Sequence, residues 1–554
     1  MKEVVFPPDP TKKEGFYPEH IYREALTRYP TVAELVSKKA GENQDRTWLM
    51  FEDGRTYSYK DVDELSDGLA TGFYGVGVRE DDKVAIFAYN SPEWILSYFA
   101  ILKIGAVPVT VNTGFIKDPL IYNLKASHSG YLVVDSRLLE AYKNVEENLE
   151  NIKRVVIIGG ESFNPGLAPR KPYVFFEDLA AEKPRPEVRV KKYEKDPCAM
   201  ILTSGTTGPS KVVADSNAQF ICTALLMTEA GGINRDSVVY VYLPLFHIMA
   251  LDLATLASML GNAKMVLAER FNPANFWQDI KKHGVTHFHA VGPILEILSK
   301  LPPSPLEQDH GPIVALAYSS KEVWTMARER FKIFISGGYG STEVGIPVSS
   351  PYDIVINGKN PPGSCGMVGP HVEVKIMDDY GRFLPVGKVG EIVIRPRIPW
   401  TIFLEYYGMP DQTVNAFRGL WFHTGDAGYF DENGYLYFVD RLKDAIRRKG
   451  ENISSYEVEQ ILLKNPKVLE AAVIPAPSEV GEDEVMAVVV PRPGESIEPG
   501  EVIAFCTENM PRFWIPRFIR VTGGLPRTPT GRIEKFKLRE EGVTNDTYDM
   551  KGIK

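Results

Sequence analysis

The feature that most limits the fold of this chain is a regular alternation of short apolar runs with helix-length segments. Runs at 84–88, 107–111, 131–134 and 155–158 form one series, and runs at 238–243, 264–267, 286–290, 313–317 and 332–336 form a second. Continuous apolar strands separated by helices are what parallel sheets require, because a parallel strand can return only through a crossover and is then buried on both faces. Ser91-Pro92-Glu93, between the first two runs, has the composition of a helix start. The expectation is doubly wound α/β sheets, and 554 residues exceed what one core accommodates.

Residues 1–80 carry amphipathic helical patterns and an Asp-Gly hairpin turn at Phe51-Glu-Asp-Gly54. From Val372 to Asp440 short β runs dominate, at 373–377 and 391–395 among others, with Asp431-Glu-Asn-Gly434 as a further hairpin turn. A basic stretch from Arg441 to Lys449 follows, then a new α/β alternation in which Ser454-Ser-Tyr-Glu457 reads as a capping box. The predicted organisation is α/β: a large N-terminal domain (1–441) of doubly wound sheets with a β-rich subdomain, and a small α+β C-terminal domain (442–554).

Composition excludes some classes. Net charge is −9, which disfavours nucleic acid as a partner, and basic and acidic residues cancel over 441–554, so the C-terminal part is relatively cationic. Cys198, Cys222, Cys365 and Cys506 lie far apart without a CxxC pair, which points to neither disulfides nor zinc and fits a reducing, cytoplasmic setting. No apolar segment precedes Pro7-Pro8, against a secretory signal. The longest apolar run, 238–260, is interrupted by Pro244, His247 and Asp252, and so predicts a strand, a turn and a core helix rather than a membrane span.

Five stretches carry chemistry. Met200-Ile-Leu-Thr203-Ser204-Gly205-Thr206-Thr207-Gly208-Pro-Ser-Lys211 reads as a buried parallel strand running into a loop rich in hydroxyls and glycine, able to turn several donors onto one anion. Its spacing is not that of a Walker A loop. Ser336-Gly-Gly338-Tyr339-Gly340-Ser341-Thr342-Glu343 begins like a dinucleotide fingerprint, but Glu343 stands where a third glycine is needed. The others are Trp421-Phe-His-Thr-Gly-Asp426 with Asp440-Arg441, Arg448-Lys-Gly450-Glu451-Asn-Ile-Ser454, and Pro244-Leu-Phe-His247. His283, His287 and His289 form a metal-like cluster, yet only His287 and His289 would share a strand face and no carboxylate accompanies them, so structural or pocket-lining roles are expected.

These stretches, in this order and over almost the whole chain, resemble the adenylate-forming superfamily of acyl-CoA synthetases, luciferases and adenylation domains. The resemblance implies an enzyme that joins a carboxylic acid to AMP, releasing pyrophosphate, and then passes the acyl group to coenzyme A. It implies that Thr203, Ser204, Gly205, Thr206, Thr207, Gly208 and Lys211 hold the ATP phosphates. By the same likeness Gly338, Tyr339, Gly340, Ser341 and Thr342 contact the nucleotide, with Tyr339 on adenine and Thr342 on phosphate. Glu343 and Thr206 would hold Mg²⁺, Asp426 and Arg441 the ribose, and Gly450 and Glu451 the pantetheine tunnel. His247 would stand beside the acyl carboxylate and the thiol entry. The C-terminal domain would be mobile, turning about Lys443. The catalytic set is therefore Thr206, His247, Glu343 and Arg532.

Two departures stand out. Ala315-Leu-Ala-Tyr-Ser-Ser320 replaces a Gly-Ala-Ala-Pro-like adenine platform, and Thr528-Pro-Thr-Gly-Arg532 carries Arg where the family has Lys. Gly340 occupies the position of a wall-forming Trp in acetate-specific relatives, so the substrate is expected to be a small-molecule acid larger than acetate. The wording around Gly450 is similar to that of carnitine/crotonobetaine-type and related acyl-CoA ligases, which does not by itself select the acid. Transfer to a carrier protein or to oxygen, and an acyl-adenylate-binding protein with little catalysis, remain open at this point. A homodimer is compatible with the sequence.

Overall fold

The computed structural model describes residues 15–203, 210–317, 321–378, 380–441, 445–448, 451–479, 481–526, 533 and 535–552. Of the expected site residues, Ser204, Gly205, Thr206, Thr207, Gly208, Lys443, Gly450 and Arg532 lie outside this set.

The two series of apolar runs form two sheets. One has eight strands in the order Glu405–Tyr406, Lys211–Ser216, Pro197–Thr203, Val107–Thr110, Lys83–Phe87, Tyr131–Asp135, Arg154–Ile158 and Tyr173–Phe175. The other has seven, Phe334–Ser336, Val314–Ala317, His287–Ala290, Val238–Val241, Lys264–Leu267, Thr47–Phe51 and Thr56–Ser58, all parallel except the last. Their apolar faces join one core with the helices Pro92–Lys103 and Asn217–Gly231. The first helix begins as its sequence dictates: Ser91 Oγ accepts the Trp94 N–H and Pro92 opens the first turn. The second is buried on nearly every side and ends at Gly232, whose φ of 63° suits glycine.

One strand departs from expectation. Pro197–Thr203 is parallel only to Val107–Thr110, with Val109 opposite Met200, and is antiparallel to Lys211–Ser216 on its other side. The hydroxyl stretch therefore falls between the two arms of an antiparallel pair. Glu405–Tyr406 closes this edge by pairing with Val213 and Ala214.

The 238–260 run becomes the strand Val238–Val241, a π-helix over Met249–Leu256 and a short α-helix over Ala257–Leu260. Among the described residues no helix is long and apolar enough to cross a membrane. The β-rich subdomain is an antiparallel sheet of Val372–Met377, Gly390–Pro396, Phe422–Phe430 and Leu436–Arg441, whose last two strands join at Gly434, φ 82°. Beyond 444, the hairpin Ala445–Arg448/Glu451–Ser454 precedes the helix Ser455–Leu462 and a mixed sheet built on the long pair Val468–Pro477 and Asp483–Pro491.

Candidate active site

A cavity of about 1150 Å³ opens where Thr203 and Lys211, the 340–343 segment, the start of the π-helix and the 445–454 hairpin converge. Of the expected residues, Thr203, Lys211, His247, Gly340, Ser341, Thr342, Glu343, Asp426 and Glu451 line it. Gly338 and Tyr339 stand behind the wall. Tyr339 is buried, donates its hydroxyl to Asp426 Oδ2 at 2.8 Å and stacks against Phe438. Arg441 lies opposite Asp426 in the strand register.

Glu343 is held from two sides. Ser341 Oγ donates to its Oε2 at 2.8 Å and the Tyr406 hydroxyl to its Oε1 at 3.0 Å, while the Phe403 N–H fixes the Glu343 carbonyl at 2.7 Å. Burial first, and the Glu343 charge second, push the Tyr406 phenol up, so it remains a donor. The same two causes raise the carboxyl of Asp215, wholly buried nearby, well above the carboxylate range. The Lys211 ammonium sits 4.4 Å from the centre of the Tyr406 ring. Tyr406 has no signature in the sequence; only its pairing beside Lys211–Ser216 brings it here.

Gly340 is required by a close approach, since a Cβ there would lie 2.0 Å from the Gly345 carbonyl oxygen. The Thr424–Asp426 corner is braced by Glu391, which accepts the Gly425 N–H at 3.0 Å and pairs with His423 Nδ1 at 2.7 Å. Gly425 has φ 73° and Thr424 Oγ1 accepts the Asp426 N–H, so the turn aims the Asp426 side chain. Glu391 too was invisible beforehand: a single Glu entering a strand has no pattern.

His247 lies just before the π-helix, a distortion that often accompanies function. Its Nε2 is 2.9 Å from Glu451 Oε2, and Asn112 Nδ2 donates to the same oxygen at 3.2 Å. A second, narrower cavity of about 70 Å³ adjoins them, walled by Phe115, Phe513 and Trp514. Among the described residues no group of three His, Cys, Asp or Glu could hold a metal. His287 Nε2 bonds to the Gly231 carbonyl and Nδ1 to Thr286, and burial lowers it to about 4. His289 is likewise buried and lowered to about 3, in keeping with structural roles for both.

The AMP-binding enzyme family matches residues 36–407 and the AMP-binding enzyme C-terminal domain matches 457–532. The chain belongs to the AMP-binding enzymes. It is 31% identical over 515 residues to the crotonobetaine/carnitine–CoA ligase of Salmonella typhi, covering 90% of this chain and 97% of that one. It superposes with a TM-score of 0.78, at 24% identity, on a double mutant of o-succinylbenzoate CoA synthetase from Bacillus subtilis bound to its product analogue, over 93% of this chain and 99% of that one. On the same enzyme in complex with AMP the TM-score is 0.63, at 25% identity over 92% and 98%. The chain is an AMP-forming acid–thiol ligase that activates a carboxylic acid with ATP to acyl-AMP and pyrophosphate and transfers the acyl group to coenzyme A.

Proposed function

We propose that this ligase acts on an acid with an apolar body larger than acetate, and that the arrangement described is the one used for the thiol step. The observation that carries the second point is the bond from Glu451, beyond the basic stretch, to His247 of the large region at the mouth of the narrow cavity. We place the domain boundary at 441/442 and the hinge at Lys443, and the four buried, free cysteines suit a reducing, cytoplasmic compartment.

Carboxylate and α-phosphate are both anionic, so the first step needs cations and oriented donors where they meet. Lys211, Thr342 and the loop 203–208 would supply donors, Asp426 would take the ribose hydroxyls side by side, and Arg532 would be the bridging cation of the other domain pose. Glu343 suits Mg²⁺: its oxygens are fixed by Ser341 and Tyr406 and face the cavity. One carboxylate completed by substrate phosphates is a common Mg²⁺ arrangement, and the ion would neutralise charge on those phosphates. In the second step His247, oriented by Glu451, would take the thiol proton as sulfur attacks the acyl carbon and AMP departs.

The acyl end of the cavity runs between Tyr242, Leu243, Phe271, Val291, Ile294 and Ile297, an apolar and aromatic lining. The test is AMP release with and without CoA on a panel of straight-chain, aromatic and carnitine-like acids. CoA-dependent release with apolar acids of about four carbons or more supports the reading. A preference for acetate, or release indifferent to CoA, refutes it.

A further inference from the structure

Arg448 is a buried cation with three partners. Its Nη1 donates to the Ile515 carbonyl at 2.7 Å and to the Phe513 carbonyl at 3.1 Å, and its Nε pairs with Glu484 Oε2 at 2.5 Å. Across the hairpin Arg448 stands directly opposite Glu451. The segment it grips, Arg512–Trp514 with Ile515, carries two of the aromatic rings that wall the narrow cavity. Those rings meet the stretch that follows the strand Val107–Thr110. Trp514 meets Phe115 edge to face with centroids 6.1 Å apart, and a Cβ on Gly114 would lie 3.0 Å from Phe513 Cε1. Asn112 of the same stretch donates to Glu451. One guanidinium therefore joins the strand that leads to Glu451 with the segment bearing Phe513 and Trp514, and both meet the large region at residues 112–115.

Resting on the reading that this arrangement serves the thiol step, we propose that Arg448 is a positioning residue for acyl transfer: it locks the hairpin of Glu451 to the Phe513–Trp514 segment, so that the carboxylate meets His247 and the aromatic wall meets residues 112–115 as one piece. Residues opposite each other in an antiparallel pair move together, so fixing the backbone at Arg448 fixes it at Glu451. The leverage is large, because a misplacement of about 1 Å can cost a catalytic group about a hundredfold in rate. An ion pair that served only the fold of the small domain would not need the two carbonyl bonds to a separate segment.

The test is Arg448→Lys in the full chain. Lysine keeps a positive charge beside Glu484, which also has Arg517 at 3.7 Å and Lys551 at 3.9 Å, so the charge balance of the small domain is preserved. Its single ammonium cannot occupy the places of both Nε and Nη1, so the fork between Glu484 and the two carbonyls is lost. Preformed acyl-AMP is mixed rapidly with saturating CoA, beside acid-dependent ATP–pyrophosphate exchange. Transfer should slow about tenfold, the size of one lost hydrogen bond to a charged group, while exchange stays within about threefold. In a Glu451→Ala background the same change should slow transfer by no more than about threefold, because residues that act through one contact do not add. Transfer at the wild-type rate in Arg448→Lys, equal loss in both half-reactions, or a full tenfold loss on top of Glu451→Ala overturns the proposal. Should the wild type fail to pass acyl-AMP to CoA at all, the reading of the thiol step itself falls and the role of Arg448 with it.

Discussion

Glu451 ties the smaller region to the site, and removing it should slow one half-reaction selectively. Its Oε2 makes two contacts, 2.9 Å to His247 Nε2 and 3.2 Å from Asn112 Nδ2. A hydrogen bond to a charged group contributes about 1.5–3 kcal/mol. The His247 side chain is 34% exposed and that of Glu451 19%, which places the first contact at the lower end. The longer Asn112 contact adds about 0.5 kcal/mol, so Glu451→Ala should cost about 2 kcal/mol of docking, or about thirtyfold. The assay is rapid mixing of preformed acyl-AMP with CoA, run beside acid-dependent ATP–pyrophosphate exchange. Transfer should slow about thirtyfold while exchange stays within about threefold. Equal loss in both half-reactions, or in neither, would refute the assignment of this contact to the thiol step.

Three further outcomes follow from the site. Glu343→Ala should lower ATP–pyrophosphate exchange by about an order of magnitude or more, because it removes the carboxylate that Ser341 and Tyr406 orient; unchanged exchange removes Glu343 from the nucleotide site. Arg532→Ala should abolish most exchange yet spare transfer from supplied acyl-AMP, and Lys535→Ala should do little, since Lys535 is paired with Glu459 at 2.5 Å in its own domain; the reverse pattern would move the bridging cation to Lys535. Burial lowers His287 to about 4 and His289 and His371 to about 3, so below their unfolded value near 6.5 the unfolded chain binds protons the folded one refuses. Stability is then full above about 6.5 and falls as pH drops, by up to about 1.4 kcal/mol per unit for each ring; the urea midpoint should fall between about pH 7.5 and 5.5, less steeply in His371→Phe, and a flat profile would contradict the burial argument.

The sheets were legible because their strands are continuous apolar runs, a signal that survives without knowing the partner strand. Hence 264–267 was read to the residue and the others to within one or two at an end, and Gly54 and Gly434, φ 96° and 82°, marked their turns. The strand Lys211–Ser216 was missed: its apolar run is only Val212-Val213-Ala214, with Lys at one end and Asp-Ser at the other, so it lacks that signal. Much of the site depends on it, since Tyr406 reaches Glu343 only because Glu405–Tyr406 adds to that strand.

Motif residues such as Thr342, Glu343 and Asp426 were legible through resemblance, whereas the groups that orient them were not. Glu391, Asn112 and Tyr406 are each set by a pairing or a loop end distant in the chain, where local periodicity carries no information. Glu457 shows the limit most clearly. Its spacing from Ser454 fits a cap, yet its carboxyl also reaches Ser210, 247 residues away.

The central claim is that the carboxylate itself attacks the α-phosphorus of ATP. With the best acid from the panel labelled with ¹⁸O in both carboxylate oxygens, one turnover with ATP, Mg²⁺ and CoA should leave one ¹⁸O in AMP, one in the thioester carbonyl and none in pyrophosphate. Label appearing in orthophosphate alongside ADP, or AMP formed without label, would contradict an acyl-adenylate and with it this account of the site.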